Sequence, residues 1–140
     1  MDLEYKKIAR RFIEEIVNTG KTETISEFID PNYKDHNDKE NEITGIEGAI
    51  AHIAAVRSTY PDLVVSIEQQ ICEGNIVVSH IIGRATHSGN WLGMKPTNKP
   101  ITIHGVNIDK FKGNRIIEHW GMANSLEALL EIGAFPIGRN

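Results

Sequence analysis

Glu118-His119-Trp120 follows a turn at Lys112-Gly113-Asn114 and leads into a helix start at Asn124-Ser125, so one short strand carries an acid, an imidazole and an indole. Consecutive strand residues point to opposite faces, which puts Glu118 and Trp120 on one side and Ile117 and His119 on the other. A carboxylate or an imidazole beside a cavity can move a proton to or from a reacting group, and an indole supplies apolar wall. The polar stretch Asn32-Tyr33-Lys34-Asp35-His36-Asn37-Asp38 is a second place for such chemistry.

The chain has 6 histidines, at positions 36, 52, 80, 87, 104 and 119. His52 sits off the apolar stripe of a helix and is expected to be solvated. His80 and His87 have an odd separation along one strand and so face opposite ways. His104 and His119 fall on strands joined by a hairpin but not directly opposite each other. Each alone reads as a hydrogen-bonded structural group. Together with Glu118 and the Asp35-His36 segment they read as a site. A polar cluster on an Ile- and Val-rich sheet is costly unless paired, and pairing is what an acid or base needs.

Other chemistries lack their residues. There is no His-Glu-x-x-His or similarly close ligand pair, so no metal site is expected. Gly93-Met94-Lys95-Pro96-Thr97 has no following helix and is no phosphate loop, and no Gly-x-Ser-x-Gly elbow occurs. Cys72 is the single cysteine, which excludes an internal disulfide; it reads as a small buried hydrophobe. The net charge of -4 with scattered Lys and Arg gives no footprint for nucleic acid. Met1-Asp2-Leu3-Glu4-Tyr5 has no secretory-signal pattern, and no apolar run reaches membrane-spanning length. A soluble, cytoplasmic protein is expected.

The positioning elements follow from periodicity. Tyr5, Ile8, Ala9, Phe12, Ile13 and Ile16 predict a helix from Asp2 to Gly20, and Ile25, Phe28 and Ile29 a shorter one over 22–29 ended by Pro31. Ile46, Ala49, Ile50, Ile53 and Ala54 predict a third over 45–58. The period then changes to two. Strands are expected over 63–72, 76–87, 101–111 and 115–122, paired as two hairpins, with a final short helix capped by Asn124 or Ser125 and closed by Gly133. The 88–100 connection holds Trp91 and Leu92, which must find cover. At 140 residues this is one domain, 1–140. Its fold class is α+β: a cone-shaped, curved antiparallel sheet with the N-terminal helices packed on its concave face.

Several strings occur in order across nearly the whole chain: Asp30-Pro31-Asn32-Tyr33-Lys34-Asp35-His36, Gly45-Ile46-Glu47-Gly48, Tyr60-Pro61-Asp62-Leu63, Thr86-His87-Ser88-Gly89-Asn90-Trp91-Leu92-Gly93 with Pro96-Thr97, and Arg115-Ile116-Ile117-Glu118-His119-Trp120. In these the sequence resembles the SnoaL-like polyketide cyclases and, within them, the ester cyclases. The resemblance implies the α+β cone shared with nuclear transport factor two, ketosteroid isomerase and limonene epoxide hydrolase, commonly a homodimer. It also implies cofactor-free ring closure by intramolecular aldol condensation, in which a carboxylate takes a proton from an activated carbon and returns one to the carbonyl oxygen. The family's acid/base aspartate falls here on Asn124, whose amide has no titratable proton and cannot be a general base. Asparagine is equally a favoured N-cap.

Two readings follow. In the first, the protein is a cyclase- or isomerase-type enzyme acting on a small apolar carbonyl compound. His119 or Glu118 is then the base, His36, His104 and Asn124 position the substrate beside Asp35, and Trp91 and Trp120 form the wall. In the second it is a non-catalytic ligand-binding or dimerisation module.

Overall fold

Tyr5, Ala9, Ile13 and Ile16 return every three or four residues and are the buried positions of the N-terminal helix, as an amphipathic helix requires. In the computed structural model, which describes residues 2–36, 43–90 and 93–134, helix α1 spans Asp2–Phe12. It continues as a π-helical turn at Ile13–Val17, closed by the Asn18 N–H donating to the Ile13 carbonyl at 2.9 Å. The Asn18 side chain then accepts from the Val65 N–H at 2.8 Å and donates to the Val65 carbonyl at 3.0 Å, engaging backbone groups on a sheet edge.

Ile25, Phe28 and Ile29, expected to lie on a helix, form only a 3-10 turn at Ile25–Glu27. All three are nonetheless core residues. The segment after them, expected to be a polar loop, is strand β1, Ile29–Asp35; Asn37 and Asp38 lie outside the described residues. Pro31 forbids helix here, and it is tolerated in a strand because it falls where the β1 register breaks, between Ile29 and Lys34. Strand β2 (Ile43–Thr44) and helix α2 (Gly45–Thr59) come next. The four long strands match expectation closely: β3 Val64–Glu73, β4 Ile76–Thr86, β5 Pro100–Lys112 and β6 Arg115–Ala123. Both hairpins turn on a glycine with positive φ, Gly74 at 60° and Gly113 at 62°. Helix α3, Ser125–Glu131, is the last of the described elements.

The strands form one sheet in the order β2-β1-β6-β5-β4-β3. It is not wholly antiparallel, as expected, but mixed, because β1 runs parallel to β6. No hairpin ties those two strands together, so nothing forces the antiparallel sense. Register breaks in the β1/β6, β3/β4 and β5/β6 ladders mark bulges or irregularities, which bend strands and raise twist. Helices α1 and α2 cover the inner face. Two apolar clusters occupy it. One gathers Tyr5, Ile16, Phe28, Ile29, Phe111 and Ile116 at the β5/β6 turn end; the other gathers Tyr60, Leu63, Met94, Ile101 and Leu129 near α3. Between them the inner positions of β4, β5 and β6 are small or polar: Ser79, Asn107 and Gly121 pair in one row, Asp109 lies in the next.

Gly89 fixes the entrance to the 88–100 connection. Its N–H donates to the Thr59 carbonyl at 3.0 Å, and a Cβ there would overlap the Ser58 carbonyl oxygen and lie 2.8 Å from the Thr59 Cα. Gly89→Ala is expected to destabilise the fold by about 2–3 kcal/mol, measured by urea unfolding. Gly74→Ala, where nothing lies within 4 Å but φ is positive, is expected to lose about 1 kcal/mol.

Candidate functional site

Counted straight from the Gly113 turn, with Phe111 opposite Ile116, Asp109 would face Glu118, placing two carboxylates side by side. The structure avoids this with a bulge at Ile117, which has no opposite partner: Phe111 pairs with Ile116, Lys110 with Glu118 and Asp109 with His119. The bulge also lets Ile116 and His119, an odd number apart, both face inward. Ile116 is buried in the core. His119 Nδ1–H donates to Asp109 Oδ1 at 2.6 Å, with side-chain exposures of 16% and 9%. Burial works against the imidazolium, but the Asp109 charge and hydrogen bond, with help from Asp35, outweigh it and raise the His119 pKa above its ordinary value.

Three more groups join this pair. Asp35, on β1, is the register partner of His119 on the side away from β5 and is 2% exposed. Tyr33, two residues earlier, is buried, and burial together with the Asp35 and Asp109 charges drives its pKa far up, so its phenol stays protonated. His52 is half-buried on α2, the helix that packs against β1. Burial lowers its pKa; the Asp35 charge raises it and the His119 charge lowers it. His52 is therefore not the solvated residue expected. It lies three residues after buried Ala49 and beside buried Ile53, so the stripe through positions 49, 53 and 56 includes it on its margin. That spacing was the available signal. For Asp109 the only signal was the like-charge conflict with Glu118, and its resolution by a bulge is a tertiary event.

The remaining candidates lie elsewhere. Glu118 and Trp120 are on the opposite, convex face of β6 from His119, and His36 joins them: His36 Nε2 meets Glu118 Oε1 at 3.0 Å, and its ring stacks on Trp120 with centroids 4.8 Å apart. The Lys110 Nζ sits 3.5 Å from Glu118 Oε2. The hydrogen bond to His36, aided by Lys110, holds the Glu118 carboxyl below the usual range against a smaller desolvation effect. His104, exposed, also lies on the convex face. The structure thus separates His36, Glu118, Trp120 and His104 from His119, and keeps only Asp35 with it. Trp91 lies outside the described residues. Asn124 occupies the N-cap position of α3 without capping it; its Oδ1 accepts from the His104 N–H at 2.9 Å while its own N–H donates to the His104 carbonyl at 3.0 Å. His87, fully buried, accepts the Thr97 N–H on Nδ1 at 3.2 Å. An open groove of about 670 Å³ at the β5/β6 turn is lined by Glu27, Asp30, Lys112, Gly113, Asn114 and Arg115, none of them in the cluster. Among the described residues no group of three or more His, Cys, Asp or Glu is placed to hold a metal ion, and no helix is long and apolar enough to cross a membrane.

Comparison with known proteins adds the lineage. The family model for SnoaL-like polyketide cyclases matches residues 7–132. The chain belongs to that family. No curated protein sequence matches it. Among solved structures, a candidate polyketide cyclase from Acidithiobacillus ferrooxidans is 26% identical, with 92% of this chain and 94% of that one covered and a TM-score of 0.81. A candidate SnoaL-like polyketide cyclase from Jannaschia sp. CCS1 superposes with a TM-score of 0.86 at 23% identity, covering 96% and 95%. The candidate hydroxylase AclR from Streptomyces galilaeus, 22% identical and covered to 95% and 83%, gives 0.80. Likeness at 22–23% identity shows a shared fold, and that fold hosts more than one named activity.

The Asp109–His119 pair makes a pH-dependent contribution to stability. Because the folded pKa of His119 is raised, the ionic part of that contribution is fully present below the unfolded value near 6.5 and is lost as pH rises through the folded pKa. Asp109→Asn is expected to lose about 1–3 kcal/mol at pH 5.5 and less at pH 9, measured by urea unfolding at both. An equal loss at the two pH values would refute the ionic assignment.

Proposed function

We propose that this SnoaL-like protein performs acid/base chemistry on a small, largely apolar carbonyl compound: proton removal beside the carbonyl, leading to cyclisation or isomerisation. The observation that carries the reading is the Asp109–His119 pair on the inner face of the sheet. Asp109 fixes the tautomer and orientation of the ring, which leaves Nε2 for a reacting group. Apolar clusters on either side of the polar band suit a ligand that is mostly hydrocarbon with few polar atoms. Chemistry of this kind requires no cofactor. The role once open to Glu118 passes to His119, because Glu118 is engaged with His36 and Lys110 on the other face.

One observation favours a binding module instead. Asn124, where the family's carboxylate falls, is an amide tied to the His104 backbone. His119→Ala separates the two readings. It is expected to lower α-proton exchange of a cyclic β-keto ester in D2O by about 100-fold or more. Asn124→Asp, which keeps an acceptor for the His104 N–H, should fold and retain exchange. A wild-type protein that binds the ester yet exchanges no protons above background would leave the binding module standing.

A homodimer through the convex sheet face belongs to the same proposal. Val64, Ile71, Val106 and Met122 are exposed there at 56%, 64%, 40% and 76%, and such an apolar face is a liability in a monomer. Light scattering should give twice the 15.6 kDa chain mass, and Met122→Lys with Ile71→Lys should shift it to the monomer.

A further inference from the structure

Asn107 lies one row beyond the Asp109–His119 pair on the same inward face of the sheet. It is two residues from Asp109 along β5, and across β6 it pairs with Gly121, two residues from His119, so strand alternation turns its side chain the same way as theirs. Neither neighbour in that row engages its amide. Gly121 has no side chain, and Ser79, opposite on β4, is buried with its Oγ accepting from Gln70 Nε2 at 3.4 Å. Among the described residues the Asn107 side chain makes no hydrogen bond. The face is also open at this level. Asn107, His119 and Ile81 point inward yet are only half-buried, whereas Phe111 and Ile116 at one end and Ile101 and Leu129 at the other are buried. The next row, Gly105 opposite Ala123, adds almost no side chain. We infer that Asn107 holds the carbonyl oxygen of the substrate, its amide N–H donating to that oxygen while His119 Nε2 removes the proton from the neighbouring carbon. The inference rests on the acid/base reading above and deepens it by naming the residue that stabilises the enolate.

The spacing suits the two tasks. Diagonal neighbours on adjacent antiparallel strands stand about 7–8 Å apart, and each reaching group needs about 3 Å to its target atom. That leaves room for an H–C–C=O unit with its hydrogen toward the imidazole and its oxygen toward the amide. The step balances. The C–H bond breaks, its proton goes to neutral His119 Nε2, its electron pair forms the C=C bond, and the carbonyl π pair comes to rest on oxygen as an enolate. Each new charge meets a group already in place. The imidazolium faces Asp109, to which it is bonded at 2.6 Å, and the enolate oxygen faces the Asn107 amide, which carries two N–H donors. A donor held where charge develops stabilises the enolate more than the ketone. An amide suits the position because it adds no charge of its own beside Asp109.

Two readouts on the full chain test this, both with the cyclic β-keto ester, labelled with 13C at its ketone carbon. In the infrared difference spectrum the ketone band should move to lower frequency on binding to the wild type. The shift should vanish in Asn107→Leu and in Asn107→Ala and persist in His119→Ala. In the exchange assay Asn107→Leu should cut the rate about 100-fold at every pH, without moving the midpoint through which the rate rises as His119 loses its proton. A moved midpoint would mean that the substitution disturbed the Asp109–His119 pair and would overturn the direct role. So would wild-type exchange in both Asn107 variants, or a band shift that survives in them. The smaller Asn107→Ala keeps the test open should leucine fail to fold. An ester that binds to the wild type with a shifted band but exchanges no protons sinks the acid/base reading and leaves Asn107 as the carbonyl-binding residue. Exchange in the wild type without a band shift sinks the Asn107 assignment alone, and neither signal sinks both.

Discussion

A carboxylate and an imidazole facing the interior of a small domain must find each other, and the Asp109–His119 hydrogen bond is the constraint around which the sheet is arranged. Its 2.6 Å contact exists only because β5 and β6 slip by one residue at Ile117. The slip satisfies both faces at once. Inside, Asp109 gains His119 and Ile116 keeps its place in the core. Outside, Glu118 moves opposite Lys110. Without it, two carboxylates would be directly opposed and an imidazole would leave the interior, an error of register that flips every side chain beyond it.

The same slip sorts the chemistry-bearing residues into two populations. The convex face receives His36, Glu118, Trp120 and Lys110, whose contacts are a hydrogen bond, a ring stack and an ion pair. Glu118 is 28% exposed there, so the pairing contributes little to stability. The concave face receives Tyr33, Asp35, Asp109 and His119 from three strands, most of them buried, with His52 half-buried on helix α2, which packs against β1. Low polarity around them strengthens every charge interaction, which is why the pKa shifts of the two histidines arise here. Asn124 serves neither population: its amide extends the β5 hydrogen-bond ladder at the sheet's end.

The four long strands and helices α1 and α2 were legible because each carries an apolar period over many residues, with glycine turns between them. Strand β1 was not. Its sequence, Ile29-Asp30-Pro31-Asn32-Tyr33-Lys34-Asp35, has turn residues at four of seven positions, and it becomes a strand through pairing with β6, which lies some eighty residues further along the chain. His119 and Asp35 were visible as candidates from residue type and setting. Asp109 was missed because unbulged counting gives it the wrong neighbour, and His52 was read as solvated because it sits on the margin of a stripe.

What the sequence determined by itself is therefore local and periodic: the types of the long periodic elements, the α+β class, the family, and the absence of a carboxylate at position 124. Those follow from side-chain spacing and identity, which do not change on folding. Tertiary structure decided which face each polar residue shares. Facing depends on register, register depends on one unpaired residue at Ile117, and that slip is chosen by the combined energy of core packing and charge pairing across strands distant in sequence.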